Sequence, residues 1–513
     1  MRIVRTKKNT VEPSELDLKY YIWSFLMMVK TVQICLSPDS KALDYLLIGA
    51  FGFFILTNFY NLKEQINMFL LVYFTDLTDW FAGFVLAGST GSRILFLDIF
   101  MGWISLNIIF QFIQAKKPRK FYLSPIFIFL TVFWLSNFMM GIVLRNGGSV
   151  IGEARFYFMS IFLFGLVTLL HDDFNQHLRK FFKIVCLASF NIAFCVLMLV
   201  TFQVSLETDG LVTDVSRFNP GNDLTGLLVF GLLIAIIDLQ NKTDFHLFKI
   251  RKDLLVMIYL GILFLAGVRT MLLVTMLVVG YFFIISGKFS FIKKFFAAVA
   301  IILAGLIFIQ LDSAKKLLET QSKYVKIIQA TANGDPTANT AGWRLKMWEV
   351  FMNRLTEDNQ RMIVGRPFGD EQIDIRELNW YWGTKKISHV DNSMAHNDFI
   401  TMSMTNGLVF VLLLMIACGM YILKALVYAK KERPYKYETL ILGWMLLIQC
   451  IMSFFNASLN HYGFTITLWV YLGMLAAQYN LNKETKPIED DNKGRKKSKN
   501  IHRDPVLQSG GVH

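Results

Sequence analysis

Charged residues and cysteines are both scarce in this sequence. Of its 513 residues, 18% are charged and 54% are hydrophobic, and the mean hydropathy is +0.45. The sparse charge separates repeated apolar stretches of about twenty residues, the length that a helix needs to cross a bilayer core of about 30 Å. A soluble protein with a large core does not need so many uncharged runs of that length. The sequence therefore predicts an all-α, polytopic membrane protein.

The few cysteines limit the chemistry further. All five fall inside apolar segments: Cys35, Cys186, Cys195, Cys418 and Cys450. Cysteines in such surroundings behave as small packing residues. They favour neither a disulfide framework nor a metal site.

About fourteen apolar stretches are candidate membrane spans. They are 20–36, 44–60, 67–88, 94–114, 122–143, 154–170, 181–203, 222–240, 253–267, 270–286, 291–310, 404–428, 437–455 and 463–480. The third carries Asp76 and Asp79, and charge inside a span is costly, so we predict twelve to fourteen spans. The first run follows a charged stretch and lacks a small-residue cleavage site, so we expect no cleavable signal peptide.

The basic residues indicate how the chain is oriented. If the N-terminus is cytoplasmic, the basic clusters at 116–120, 179–183, 249–252, 288–294 and 430–436 all fall on the cytoplasmic side. This agrees with the positive-inside rule and predicts that both termini are cytoplasmic. The net charge of +14 is then a topology signal, so we expect the chain to contact a lipid bilayer and no nucleic acid.

The predicted organisation has four parts. Residues 1–310 carry the N-terminal transmembrane helices, 311–403 form one large extracytoplasmic loop region, 404–482 carry the C-terminal transmembrane helices, and 483–513 form a basic cytoplasmic tail predicted to be disordered. The loop contains a predicted helix from Gly342 to Leu355. It has no G-x-G-x-x-G, P-loop or D-x-D motif and is too small for a nucleotide-sugar-binding domain. If the chain transfers a sugar, its donor substrate must therefore be reached from within or beside the membrane.

Arg269 is a lone guanidinium between long apolar runs, with no acidic residue within fifteen positions on either side. A charge near hydrocarbon costs roughly 2.5–3.5 kcal/mol on insertion scales, so Arg269 needs a partner. That partner is either a group elsewhere in the fold or an anionic ligand, and we favour the ligand. The same two explanations apply to other arginines on the predicted outer side, such as Arg217.

A set of spaced motifs in the second half of the chain resembles a known family. In chain order they are Arg217-Phe218-Asn219-Pro220-Gly221-Asn222, Gly267-Val268-Arg269-Thr270, Arg344-x-x-x-Trp348, a glycine turn at 365–369, His396-Asn397-x-Phe399, and Gly407 at the start of a span. Their order and separations resemble the signature of the O-antigen ligase and O-antigen/exopolysaccharide polymerase superfamily, over roughly residues 210 to 410. Three positions depart from that pattern: Val268, Phe399 and Phe410.

The resemblance implies a GT-C-like fold that handles a glycan carried on undecaprenyl pyrophosphate at the outer face of the bacterial cytoplasmic (inner) membrane. It implies catalytic roles for Arg269, Arg344 and His396. It further implies substrate-binding roles for these residues: Arg217, Trp348 and Asn397. Two guanidiniums can hold a diphosphate through bidentate hydrogen bonds, so we expect no metal and no cofactor.

Two candidate residues have more than one interpretation. His396 either takes the proton from an acceptor hydroxyl as a general base or hydrogen-bonds to the diphosphate. A neighbouring positive cluster favours neutral histidine and thus the base role, while a capping histidine is the structural alternative. Trp382 either stacks on sugar rings as a substrate-binding residue or belongs to an interfacial aromatic belt.

The acceptor defines the function. A second lipid-linked repeat unit would make the chain a polysaccharide polymerase, lipid A-core would make it a ligase, and a protein serine would make it a protein O-oligosaccharyltransferase. We favour the polymerase for two reasons. The sequence departs from the ligase-like motif, and its Lys, Asn, Phe and Ile usage suggests an AT-rich genome, which need not belong to an organism with an outer membrane and hence with lipid A-core. A lipid-linked glycan flippase or transporter is the alternative from another class.

Overall fold

The structure is a computed structural model of the chain, and part of the chain is described. The described residues are 16–37, 42–58, 61–77, 85–87, 94–114, 125–144, 150, 174–202, 204, 222–282, 340–366, 373–374, 381–382, 385–386, 389–390, 397–430, 435–455 and 462–484.

Helices dominate these residues. They are α1 Leu18–Leu36, α2 Ala42–Thr57, α3 Leu62–Phe74, α4 Phe96–Gln114, α5 Pro125–Leu144, α6 Phe174–Phe202, α7 Asn222–Asn241, α8 Lys252–Ala266, α9 Arg269–Gly280, α10 Thr340–Thr356, α11 Asn359–Val364, α12 Asp398–Ala429, α13 Lys436–Phe455 and α14 Tyr462–Glu484. Short antiparallel strand pairs join β1 Val85–Ala87 to β2 Ile94–Leu95, β3 Ile373–Asp374 to β6 His389–Val390, and β4 Tyr381–Trp382 to β5 Lys385–Lys386.

Four helical segments of the described chain are long and apolar enough to cross a bilayer: His177–Phe202, Leu224–Asn241, Asp398–Ala429 and Lys436–Phe455. Shorter apolar helices are found at Leu43–Thr57, Ile128–Leu144 and Thr270–Gly280. These helices agree with the predicted all-α membrane protein. The total of twelve to fourteen spans stays a prediction, because the stretches at 154–170 and 291–310 lie outside the described residues.

Several predicted helix bounds are confirmed closely. The span predicted at 222–240 is α7, the span predicted at 437–455 is α13, and the loop helix predicted from Gly342 to Leu355 is α10. The predicted tail at 483–513 lies outside the described residues beyond Glu484.

The span predicted at 67–88 is wrong as one continuous helix. α3 ends at Phe74, and Val85–Ala87 is strand β1, which pairs with β2. The hydroxyl of Thr75 donates to the carbonyls of Leu71 (2.8 Å) and Val72 (3.1 Å), so it occupies acceptors in the last turn. A polar residue that bonds the final carbonyls favours a helix end over continuation.

α7 lies in the middle of the bundle. Side chains on every side of it are fully buried across the run from Leu232 to Ile237, and a helix that is apolar all round must be surrounded by others. Its neighbours include α6, α8, α9, α13 and α14, and α12 packs along α13 and against α5. The core of the described chain therefore forms around the two helices α6 and α7.

One end of the bundle is fixed by ion pairs. Arg179 of α6 lies 3.0 Å from Glu438 at the start of α13. Glu64 at the start of α3 pairs with Lys19 of α1 (2.6 Å) and with Lys180 of α6. We call this the basic end, and it gathers helix starts that the charge pattern assigns to one side of the membrane.

The α7–α8 connection lies at the basic end too. Asp238 near the end of α7 accepts hydrogen bonds from the main-chain N–H groups of Phe245 (3.1 Å) and His246 (2.8 Å). The Phe245 ring centroid lies 5.8 Å from the guanidinium carbon of Arg179. α8 therefore starts at the basic end and finishes at the opposite end of the bundle.

Candidate functional site

Arg344 and Trp348 lie against the last residues of α13. The Nη1 of Arg344 donates to the main-chain oxygen of Phe455 at 3.0 Å, and the rings of Trp348 and Phe454 meet edge to face at 5.6 Å. Residues four apart share one face of a helix, so the Arg-x-x-x-Trp spacing puts both side chains on the end of α13. Arg344 thereby stabilises a carbonyl at a helix C-terminus, where a cation is favourable.

Asn397 is the N-cap of α12. Its Oδ1 accepts hydrogen bonds from the N–H groups of Phe399 (3.0 Å) and Ile400 (3.1 Å), and its side chain is buried. These bonds satisfy donors in the first turn that have no partner within the helix. The structure therefore gives Asn397 a capping role, and the substrate contact assigned to it stays a prediction.

α12 is broken at Gly407, which has φ 82° and ψ 161° inside an otherwise helical stretch. The segment 398–406 before the break is a short half-helix with many buried polar residues. They are Asp398, Thr401, Ser403, Thr405 and Asn406. Within an apolar span such a break frees main-chain carbonyls, which need new hydrogen-bond donors.

The break is packed directly against the turn that follows α11. Gly365 also has a positive φ, 83°, and a Cβ added to it would lie 2.5 Å from both the nitrogen of Gly407 and the oxygen of Thr405. A Cβ on Gly407 would collide with the carbonyl of Ile363. Both positions need glycine because they adopt left-handed φ values and because two backbones touch there. We call this contact the glycine crossing.

Two donors from outside the half-helix bond to its freed carbonyls at Met404 and Thr405, and one of these donors also bonds to the last carbonyl of α11. The side-chain Nδ2 of Asn137, from α5, donates to the oxygens of Val364 (2.8 Å) and Thr405 (2.9 Å). The main-chain nitrogen of Arg366 donates to the oxygen of Met404 at 3.1 Å. Asn137 is fully buried and thus joins three separate segments at the glycine crossing.

The end of α13 and the glycine crossing lie at similar heights in the bundle. Gly443 of α13 faces Ala425 of the antiparallel helix α12. This register puts Phe455 level with about Leu413, roughly 9 Å along the helix axis from Gly407. We call this end of the bundle, which carries Arg344, the glycine crossing and the α12 N-cap, the motif end.

The other predicted site residues are described in part or not at all. Arg269 is the first residue of α9, after the left-handed Gly267 (φ 67°) that ends α8, so its backbone lies at the end of the bundle away from the basic end. Trp382 lies in β4, with Lys385 of β5 as its pairing partner. The side chains of Arg269 and Trp382, and all of Arg217 and His396, lie outside the described part of the structure.

Sequence reasoning missed Asn137 and Arg366. Asn137 is a lone side-chain amide in the middle of the span predicted at 122–143, and a polar residue inside an apolar span is a signal for a tertiary contact. Arg366 lies in the glycine turn that was recognised only for its glycines. In the structure Arg366 is 7% exposed.

Within the described residues, no group of three or more His, Cys, Asp and Glu side chains could hold a metal ion. The expected lack of a metal and a cofactor stays a prediction. Chemically, the motif end offers guanidinium groups, amides and hydroxyls beside a break in a helix, a combination suited to an anionic or polyhydroxylated ligand. Comparison of the chain with protein-family models and with curated proteins gives no match.

Proposed function

We propose that this chain is a membrane-embedded glycosyltransferase of the bacterial cytoplasmic membrane that acts on undecaprenyl-pyrophosphate-linked oligosaccharide. Its preferred reaction joins repeat units into a polysaccharide. The observation that carries the proposal is the glycine crossing, because it brings Gly365 and Gly407, which belong to two separate parts of the motif, into backbone contact.

The reaction is a substitution at the anomeric carbon of the donor sugar. The acceptor hydroxyl oxygen forms the new glycosidic bond, and the bond between the anomeric carbon and the diphosphate oxygen breaks. Undecaprenyl pyrophosphate leaves with the bonding electron pair, and the hydroxyl proton passes to a general base, for which His396 is the candidate. Arg344 and Arg269 would stabilise the charge on the departing diphosphate.

The position of the motif end along α12 supports this assignment. The continuous part of α12 after the break, 408–429, has 22 residues and is thus about 33 Å long, which matches a hydrocarbon core of about 30 Å. If this part spans the core, Gly407 lies at the hydrocarbon boundary and the half-helix 398–406 lies in the headgroup layer. The diphosphate of a membrane-anchored isoprenoid lies in that layer.

The test is an in vitro reaction of the purified full-length protein with lipid-linked repeat units. We expect longer glycan and released undecaprenyl pyrophosphate, with the rate unchanged by EDTA. A strict requirement for Mg²⁺ or Mn²⁺ would contradict the arginine-based arrangement. If lipid A-core or a serine-containing protein is glycosylated instead of a repeat unit, the chain is a ligase or a protein O-oligosaccharyltransferase.

A lipid-linked glycan flippase is the second candidate, and one observation favours it. Broken helices with polar residues at the break are typical of transporters, and α12 has this form. A flippase would move lipid-linked glycan between leaflets of a proteoliposome and would produce neither longer glycan nor free undecaprenyl pyrophosphate. The purified protein and lipid-linked glycan therefore separate the two functions, because only the enzyme lengthens the glycan and releases undecaprenyl pyrophosphate.

A further inference from the structure

Two segments of the motif end carry the candidate reacting groups. Segment 340–366 consists of α10, α11 and the turn after α11, and it carries Arg344. The half-helix 398–406 is capped by Asn397, and His396, the candidate base, precedes that cap in the sequence. A general base must be within hydrogen-bond reach of the acceptor hydroxyl while the donor is held. The proposed reaction therefore depends on the spacing between these two segments.

Segment 340–366 packs as one unit. Two residues separate α10 from α11, and Oδ1 of the second, Asp358, accepts a hydrogen bond from the N–H of Gln360 in the first turn of α11 at 2.8 Å. α10 is buried at Met347, Phe351 and Leu355, which share one helix face, and it packs against both α11 and α12. The position of the turn after α11 is thereby tied to that of α10.

Asn137 belongs to neither segment and bonds to both. Its Nδ2, on α5, donates to the oxygen of Val364 at the end of α11 (2.8 Å) and to the oxygen of Thr405 in the half-helix (2.9 Å). The two acceptors are carbonyl oxygens, which cannot bond to each other. A side-chain amide carries two N–H groups on one nitrogen and can hold both oxygens at once.

Stability alone does not account for asparagine at this position. The side chain is fully buried, and its Oδ1 has no hydrogen-bond partner in the described chain. A buried acceptor without a donor costs free energy, which offsets part of what the two N–H bonds contribute. A polar residue placed at such a cost inside an apolar helix indicates a functional role.

We infer that Asn137 is a positioning residue of the proposed reaction, which fixes the spacing between the segment that carries Arg344 and the half-helix that follows His396. This inference rests on the proposed function and adds to its site a residue from the first half of the chain. Arg344 and Trp348 anchor segment 340–366 separately on the end of α13. Without Asn137 the donor-binding segment should therefore stay in place, while the base loses its alignment with the held donor.

The experiment measures kcat per folded molecule and the KM for lipid-linked repeat units with the purified full-length protein, below the unfolding midpoints of all variants. Asn137→Ala removes both donors, and Asn137→Asp keeps the size of the side chain but cannot donate to both carbonyls. Both changes should lower kcat by roughly 10–100-fold, as expected for a misplacement of about 1 Å, with KM nearly unchanged. Asn137→Gln keeps both N–H groups on a longer side chain and should recover part of the loss.

Gly231→Ala is the matched structural control. A Cβ at Gly231 would lie 2.7 Å from the hydroxyl oxygen of Tyr259 and 2.8 Å from that of Ser189, where α6, α7 and α8 meet. The change should therefore lower the unfolding midpoint. Since Gly231 belongs to neither segment, kcat per folded molecule should equal that of the wild type. A loss of kcat as large as in Asn137→Ala would mean that destabilisation alone lowers turnover, and the inference would be wrong.

The outcomes separate the inference from the proposed function. If the wild type lengthens glycan and all Asn137 variants have its kcat, Asn137 is only a structural residue and the inference fails, while the proposed function stands. A loss seen entirely as a raised KM would assign Asn137 to donor binding and overturn the inference too. If Asn137→Ala and Asn137→Asp do not fold, Asn137→Gln decides: a lowered kcat supports the inference, and a wild-type kcat contradicts it. If the wild type does not lengthen glycan, the proposed function and the inference both fail.

Discussion

The two ends of the bundle are held together by different interactions. At the basic end, cations meet carboxylates: Arg179 pairs with Glu438, and both Lys19 and Lys180 pair with Glu64. At the motif end, Arg344 donates to the main-chain oxygen of Phe455, Asn137 donates to those of Val364 and Thr405, and two glycines bring backbones into contact.

From this difference we expect the two ends to contribute differently to stability and to activity. The ion pairs of the basic end link separate helices, whereas the carbonyl contacts of the motif end hold residues of the candidate site in place. The basic end is thus built to hold helices in place. The motif end holds the candidate site residues Arg344 and Asn397 in fixed positions. Changes at the motif end should alter activity, some of them together with stability, whereas changes at the basic end should alter stability alone.

The largest expected effect is on activity, at Arg344. Arg344→Ala should reduce transfer by roughly 100-fold or more, as expected when a group that stabilises transition-state charge is lost. The unfolding free energy should fall by only about 1 kcal/mol, for the single bond to Phe455. Rates with lipid-linked repeats and thermal unfolding in detergent measure the two effects. Wild-type activity in Arg344→Ala would remove the residue from the site, and Arg354→Ala is the exposed control.

A large loss of stability is expected at the glycine crossing. Gly407→Ala would force a Cβ against the carbonyl of Ile363 at a left-handed φ, which should cost about 2–4 kcal/mol. Gly419→Ala is the control on the same helix, because a Cβ there meets nothing within 4 Å and alanine is the better helix former by roughly 0.5–1 kcal/mol. Equal unfolding midpoints for the two variants would show that the segments do not touch at Gly407.

Asn137 should have an intermediate effect. Asn137→Ala removes both donors that satisfy the oxygens of Val364 and Thr405, and two buried acceptors without donors should cost about 2–3 kcal/mol. Ser136→Ala is the neighbouring control, since Ser136 is exposed and bonds only within its own helix. A loss of stability as large in Ser136→Ala as in Asn137→Ala would mean that the contact across the bundle contributes nothing.

The smallest effect is expected at the basic end, and it depends on pH. Burial alone raises the pKa of Glu64, but hydrogen bonds from Lys180, Lys19 and Tyr20 outweigh burial and lower the pKa to about 2, from an ordinary value of 4.5. Because the folded-state pKa lies below the unfolded one, this stabilisation is complete above about pH 4.5 and is lost as the pH falls towards 2. Glu64→Gln should thus lower stability by about 1–2 kcal/mol at pH 7.

The difference between wild type and Glu64→Gln should shrink as the pH falls from 4.5 towards 2, which thermal unfolding across that range measures. Transfer activity per folded molecule should stay unchanged at pH 7. A difference that grows on acidification would mean that Glu64 is not held ionised by its lysines. A loss of turnover in folded Glu64→Gln would contradict the division of roles between the two ends.

The sequence predicted most of the described helices but neither the end of α3 nor the break in α12. The span at 67–88 was extended through Thr75 and Asp76 because an average over apolar residues does not detect a side chain that ends a helix by bonding its last carbonyls. Likewise, Gly407 was recognised as part of a motif, but the positive φ that breaks the helix follows from Gly365, which packs against it from another segment.

Within the candidate site, the types of residue were predictable and their contacts were not. The spacing of Arg344 and Trp348 fixed their common helix face. That this face meets the end of α13 depends on a contact between residues 111 positions apart. Asn137 reaches Thr405 across 268 positions, a separation at which one sequence carries no periodic signal.

The sequence alone determined most of the apolar helices of the described chain, and with them the prediction of a membrane protein, because transfer of a segment into hydrocarbon is a local sum over about twenty residues. Tertiary structure decided that the turn after α11 packs into the bundle and that Asn137, Gly365 and Gly407 meet there. Such contacts depend on how helices of fixed length and register pack around one another, and that packing is not an additive property of any single segment.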